Sequence, residues 1–323
     1  MNNNLSGNRS GFVPGTGTGF PKTRPPKIHA PKIHAPKNGF GGGNFLKKGL
    51  LFILPGFAGF AIFYLWPFLI SLRYSVWSKP VNGVFVGLKN YIELFQSAPY
   101  LLGLRNTALF ITICVPVNMA LALVVAMLIR KSGIKSSGFV LIFLIPLVIP
   151  SGSMAFFWKT LFANDGVING LLAAMQIGRV KWLESGASRV VILLAFTWKN
   201  MGYNMVLFLA GLSNIPKEYY EAASVDGATA WQKFLHITAV CLAPTMILTL
   251  LMSIINSFKV FREVYMIMGS YPHDSVYMLQ HFMNNVFYSL NYQRLTTATT
   301  ILVVLVVLVT QTLFRLEKRF SDE

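Results

Sequence analysis

Apolar residues run through the chain in blocks too long for ordinary core helices. Each block of roughly twenty such residues reads as a membrane-crossing helix. Six are predicted, at about residues 50–71, 105–129, 139–161, 190–211, 242–268 and 295–316. Pro55 and Pro67 are positioned to kink the first. The third carries Pro146 and Pro150, each of which removes a helical hydrogen bond, so this span is expected to be bent or opened there. Such a break is tolerated at membrane depth where it is buried in protein or lines a cavity. Asn200, Tyr203 and Asn204 share one face of the fourth span at i, i+3, i+4. The fifth carries Ser253, Asn256, Ser257, Lys259, Arg262 and Glu263. Lys259 and Glu263 are four apart and suited to pairing on one helix face. Their alternatives are a structural pair, a transport role, or outward snorkelling of Lys259 and Arg262.

Between spans four and five the apolar pattern is interrupted by the longest polar stretch of the second half, Glu221–Ala228. Pro216 suits a first helical turn. Tyr219, Ala222 and Ala223 fall at one-face spacing, Asp226-Gly227 is a turn signal, and Trp231, Phe234 and Leu235 repeat the apolar spacing. Two short amphipathic helices joined at a glycine bend are predicted. The small residues would let another backbone approach closely.

Composition agrees with a membrane protein. The 323 residues are 54% hydrophobic and 12% charged, against about 25% charged for soluble domains, and mean hydropathy is +0.55. The net charge of +17 is concentrated in residues 1–48, which hold eight basic residues and no acid. Placed directly before a span, this segment implies anionic lipid rather than nucleic acid as partner. Residues 1–45 are rich in Gly, Pro and Asn, repeat Pro-Lys-Ile-His-Ala at 26–30 and 31–35, and are expected to be a disordered cytoplasmic tail. Residues 46–316 form the membrane domain and 317–323 a second tail. With six spans both ends share a side. That side holds sixteen basic residues against seven opposite, which places both termini in the cytoplasm; without the first tail the balance is eight to seven. Cys114 and Cys241 offer no disulfide framework and read as small buried residues. Trp158 reads as an interfacial anchor. No P-loop, zinc-protease motif or catalytic constellation occurs, so no metal and no catalytic residue is assigned.

Glu221-Ala222-Ala223, Gly227 and Ile237 match the spacing of the coupling-loop signature of binding-protein-dependent ABC importer permeases; Ala239-Val240 stand where that signature closes on Leu-Pro. Gly87-Leu88-Lys89-Asn90-Tyr91, Asn106-Thr107 and Asn164–Asn169 follow the family's order, while Met268–Pro272 lacks its Gly-Gly-Pro turn. The chain therefore resembles the MalF-like, sugar-type permeases of this family over most of residues 50–315. The resemblance implies an all-α polytopic protein with a type I ABC importer permease fold, six transmembrane helices and cytoplasmic coupling helices within 213–240, located in a bacterial cytoplasmic membrane. It implies that Glu221, Ala222, Ala223, Asp226, Gly227 and Ala228 engage an ABC ATPase dimer, which carries the ATP and Mg; no cofactor is expected in this chain. A second permease subunit, an extracytoplasmic solute-binding protein and a carbohydrate substrate complete the implied set. Spans three to five would line the path, with Ser151, Asn200, Tyr203, Asn256 and Ser257 suited to a neutral sugar. The alternatives are an ion- or proton-coupled secondary transporter relaying through Lys259, Glu263 and Lys199, and a receptor or scaffold built on the basic tail.

Overall fold

A computed structural model describes residues 42–80, 82–132 and 137–321. The expected tail over residues 1–45 lies outside them up to residue 41, as do Lys135 and the last two residues of the C-terminal tail. The first unit, within Met1–Ala58, contributes most of α1 (Gly42–Phe60), whose described side chains Leu50–Leu54 and Phe57 are exposed.

The second unit, Gly59–Glu323, holds every other element. A π-helical turn at Ala61–Leu65 leads into α2 (Trp66–Ser75), with Pro67 in its first turn. Pro67 therefore opens a helix, where its missing N–H has no partner to lose. After α3 (Lys89–Phe95) come α4 (Ala98–Ser132), α5 (Ser137–Val148), α6 (Ser151–Leu161), α7 (Val167–Ala174) and α8 (Ser188–Ser213). The polar interruption becomes α9 (Lys217–Val225) and α10 (Ala230–Lys233), which continues through a π-helical turn at Phe234–Thr238 into α11 (Ala239–Cys241). Then follow α12 (Ala243–Lys259), α13 (Phe261–Met268), a 3₁₀ turn at Asp274–Val276, α14 (Leu279–Tyr288) and α15 (Tyr292–Ser321).

Five stretches are long and apolar enough to cross a membrane: Gly49–Ser75, Ala98–Ser132, Ser188–Ser213, Ala243–Met268 and Tyr292–Lys318. The sixth is the bent pair α5–α6, which turns through 97° between Val148 and Ser151. The expected break thus falls at the second proline, Pro150, while Pro146 lies within α5. The core of this unit lies where α4 and α8 run against each other. Toward one end, Met205, Phe208 and Leu212 of α8 pack on Ala122 and Ala126 of α4. Toward the other, Val191, Ile192 and Phe196 pack with Cys114, Trp158 and Val264. Alanine at positions 122 and 126 lets the helices approach closely, the usual device where packing rather than water exclusion drives association. Gly202 has the same function between α5 and α8, because a Cβ there would collide with the Phe143 carbonyl. Between these layers Asn204 donates to Asn118 Oδ1 (2.6 Å) and Ser253 Oγ (2.9 Å), joining α4, α8 and α12 by buried hydrogen bonds.

The family-like motifs outside the coupling loop have structural work. Asn90 donates to the Ser75 and Trp77 carbonyls. Asn106 donates to those of Asp274 and Tyr277, and Thr107 accepts from the Leu279 N–H. Asn169 gathers the carbonyls of Ala163, Asn164 and Val180 and accepts from Val180 N and Trp182 Nε1. Trp158 departs from the expected anchor. It is buried against Phe157, Phe162 and Trp198, with ring centroids 5.6, 5.8 and 5.9 Å away. Cys114 is buried as expected, whereas Cys241, at the end of α11, is exposed.

Candidate functional site

Three elements converge at the break in the third span. Pro150 caps α6, so Ser151 is its first residue. Its hydroxyl donates to Glu263 Oε1 at 3.0 Å and accepts from Lys199 Nζ at 3.2 Å. Lys199 also donates directly to Glu263 Oε1. One buried carboxylate of α13 is thereby held by α6 and α8 together. A lone charge at mid-bilayer costs about 2.5–3.5 kcal/mol on insertion scales, and the pairing offsets much of that. The first turn of α6 adds backbone N–H groups and the positive end of a helix dipole near the same carboxylate.

This geometry corrects the expected Lys259–Glu263 pair. The i, i+4 spacing is right, but Val260 separates α12 from α13, with its N–H turned to Ser257 O in a tightened turn. Glu263 faces inward to Lys199, while Lys259 is exposed and donates to Asn256 Oδ1 at 3.1 Å. The relay through Lys259, Glu263 and Lys199 is therefore not assembled.

Beside the pair lies a cavity of about 140 Å³, whose wall includes Lys199, Asn200, Asn256, Lys259, Arg262 and Glu263. Of the five residues singled out for the path, Asn200 and Asn256 line it directly and Ser151 reaches it through Glu263. Asn200 spends one N–H on the Phe196 carbonyl at 2.9 Å. Tyr203 is half-buried and absent from the cavity wall. Ser257 is buried and donates to Ile254 O at 2.6 Å. The residues that sequence reasoning undervalued are Lys199 and Arg262. Their signal was present: a basic residue inside an apolar span.

The interrupted stretch folds as predicted in outline. In α9, Asp226 ends the helix and Gly227 takes φ +76°, the left-handed conformation that glycine adopts without a Cβ penalty. Ala228 N–H then bonds Ala223 O at 2.9 Å and Gly227 N–H bonds Ser224 O at 3.2 Å. This paired closure satisfies carbonyls that the helix end would leave open. Two residues on, Thr229 and Gln232 form a reciprocal capping box that starts α10. The one-face set Tyr219, Ala222 and Ala223 does not include the residue that packs on the bundle. Tyr220, rather than Tyr219, turns to the bundle, where its hydroxyl meets Thr238 Oγ1 at 2.9 Å and its ring lies 5.1 Å from the Arg130 guanidinium. Tyr219, Glu221, Ala222, Val225, Asp226, Gly227 and Trp231 remain exposed. A shallow cavity of about 360 Å³ lies between Ala223, Gly227, Ala228, Lys233 and Ile237.

Where the signature would close on Leu-Pro, α11 ends at Cys241, Leu242 turns, and Pro244 sits in the first turn of α12. The proline is displaced by a few residues and still opens the next helix. Similarly, Gly269 alone, at φ +83°, supplies the turn after α13. Among the described residues no group of three His, Cys, Asp or Glu is arranged to hold a metal ion.

Comparison with known proteins agrees with this geometry. Residues 83–322 match the model of the family described as binding-protein-dependent transport system inner membrane component. The lactose transport system permease protein LacF of Rhizobium radiobacter is 33% identical over 223 residues, 68% of this chain and 75% of that protein. The trehalose/maltose transport system permease protein MalF of Thermococcus litoralis is 31% identical over 233 residues, 70% and 78% of the two chains. Among solved structures, one chain of a bacterial ABC transporter that imports the acidic polysaccharide alginate has the same fold, with a TM-score of 0.74 at 22% identity over 86% of this chain and 98% of that one. The spans, the broken third helix and the capped loop thus belong to a member of the binding-protein-dependent transport system inner membrane component family, a multi-pass inner-membrane permease of an ABC importer.

Proposed function

We propose that the chain is one half of the pore of a carbohydrate importer. A second, related permease completes the pore, an ABC ATPase dimer seats the loop from Glu221 to Ala228, and an extracytoplasmic binding protein delivers the substrate. The exposed cap at Gly227 carries this reading. It presents Glu221, Ala222, Ala223, Asp226, Gly227 and Ala228 on a stiff, doubly hydrogen-bonded bend. With both termini cytoplasmic, this bend faces the ATPases. ATP binding, with its Mg, closes them and displaces α9–α10. That motion is passed to α8 and α12, between which the loop is strung, and switches the cavity at Ser151, Asn200 and Asn256 between the two sides. Tyr203 and Ser257 belong to the same path if rotation of α8 and α12 during the cycle brings them to its wall. The carbohydrate class is supported by relatives named for transport of lactose, starch degradation products and trehalose/maltose.

The test is co-purification. The tagged chain, co-expressed with its genomic neighbours, is expected to bring down two copies of an ATPase and one second permease. Gly227→Trp should release the ATPase while keeping the permease pair, because a non-glycine residue at φ +76° is strained and the bulk occupies the docking face. A homo-oligomer without ATPase would overturn the assembly proposed. Within the intact complex, Asn200→Ala and Tyr203→Ala that leave uptake unchanged would remove those residues from the path.

A further inference from the structure

The wall of the 140 Å³ cavity carries an unbalanced charge. Lys199, Lys259 and Arg262 line it with a single carboxylate, Glu263. Glu263 is already engaged by Lys199 and Ser151. Among the described residues, Lys259 has only the neutral Asn256 amide as acceptor. Arg262 is exposed and has no acidic partner among the described residues. Two positive charges without an acidic partner among the described residues therefore line this cavity, three residues apart on either side of the Val260 turn. A neutral sugar would leave both uncompensated as water is displaced. An oxyanion would satisfy them, and a guanidinium is shaped for bidentate contact with carboxylate or phosphate.

From this we infer that the transported carbohydrate is anionic: a saccharide bearing a carboxylate or a phosphate, bound by Lys259 and Arg262, with the Asn200 and Asn256 amides on adjoining hydroxyls. The inference rests on the reading of this cavity as part of a carbohydrate path and narrows it. Glu263 has a separate part. By neutralising Lys199 it leaves Lys259 and Arg262, three residues apart, as the cations available to the acid group of the substrate. The cavity is smaller than the ~300–1,000 Å³ of a complete small-molecule site, consistent with holding the charged end of a longer ligand.

The experiment uses the whole complex, both permeases, the ATPase dimer and the binding protein, in proteoliposomes. ATP-driven uptake is measured for trigalacturonate, trehalose 6-phosphate and maltotriose. Preference for either anionic probe over maltotriose is expected, and the probe taken up separates carboxylate from phosphate. In Lys259→Gln/Arg262→Gln that uptake should fall by about tenfold or more, the loss of at least one charge-assisted contact, with Arg262→Lys retaining more than Arg262→Gln. Gel filtration of each variant complex confirms assembly. Uptake of maltotriose in preference to both anions would overturn the charge assignment and leave the carbohydrate reading standing. The same follows from anion uptake indifferent to Lys259→Gln/Arg262→Gln, as when an acidic residue of the second permease occupies these cations. Uptake of none of the three by an assembled, ATP-hydrolysing complex would overturn the carbohydrate reading and this inference with it.

Discussion

His281 is a buried histidine with nothing to compensate a charge. It lies on α14, between the last two candidate spans. Its Nδ1 accepts the Met278 N–H at 3.1 Å, and its ring meets the Phe261 ring edge-on at 4.7 Å. Nε2 finds no hydrogen-bond partner among the described residues. Burial pushes its pKa down to about 4. The unfolded chain, near 6.5, takes up the proton first as pH falls. Stability is therefore fully present above about pH 6.5 and is lost down to about pH 4, on the order of 3 kcal/mol for this group. The melting temperature should drop between pH 7 and pH 5, and His281→Asn should flatten that dependence; a wild-type melting temperature that rises on acidification would contradict the assignment. Glu263 is the second residue whose chemistry makes a sharp forecast. Glu263→Gln strands Lys199 as an uncompensated charge, at a cost of about 3–5 kcal/mol. Lys199→Met/Glu263→Leu should recover most of it, since apolar replacement of a whole buried pair is often neutral. A thermal-denaturation double-mutant cycle reads this directly, and additive losses would show that the two residues do not act as a pair.

At the scale of elements, the capping box and the close helix contact are separable. Thr229→Ala removes the side-chain acceptor for the Gln232 N–H and should cost about 0.5–2 kcal/mol. Hydrogen exchange should locate that loss in residues 230–241 rather than across the bundle. Gly202→Ala forces α5 away from α8 and should lower global stability by about 1–3 kcal/mol; an unchanged melting point would mean the two helices are not held at contact distance. The elements themselves were legible in advance wherever local chemistry decides them. Pro150 marked the break, and Asp226-Gly227 marked the bend. What sequence spacing could not supply was the partner choice of a side chain across elements. Lys259 and Glu263 have pairing separation, yet across the Val260 turn each takes a different partner, Asn256 for Lys259 and Lys199 for Glu263. Tyr219 and Tyr220 are adjacent and chemically alike, and only the position of Arg130 and Thr238 in space selects Tyr220 for the interior. Trp158 likewise carries the composition of an anchor and is claimed by Phe157 of α6, Phe162 just beyond it and Trp198 of α8.

At the largest scale, within Gly59–Glu323, the two buried clusters along α4 and α8 and the bridging Asn118–Asn204–Ser253 bonds tie α4, α6, α8, α12 and α13 into a frame, while α9–α10 is strung between α8 and α12. The 97° bend gives this frame an uncommon property. A broken helix ends one ladder of hydrogen bonds at Val148 and begins another at Ser151, so it exposes carbonyls and N–H groups that hydrocarbon cannot satisfy. With the Lys199–Glu263 pair and two further cations alongside, the region beside the bend is rich in polar and charged groups. A membrane that maintains a voltage and a proton gradient is short-circuited by any continuous hydrophilic passage. The bend therefore obliges this permease to keep at least one barrier shut on either side of it throughout every turnover, and electrical tightness, as much as substrate capture, must have shaped the apolar layers of α4 and α8 that border it.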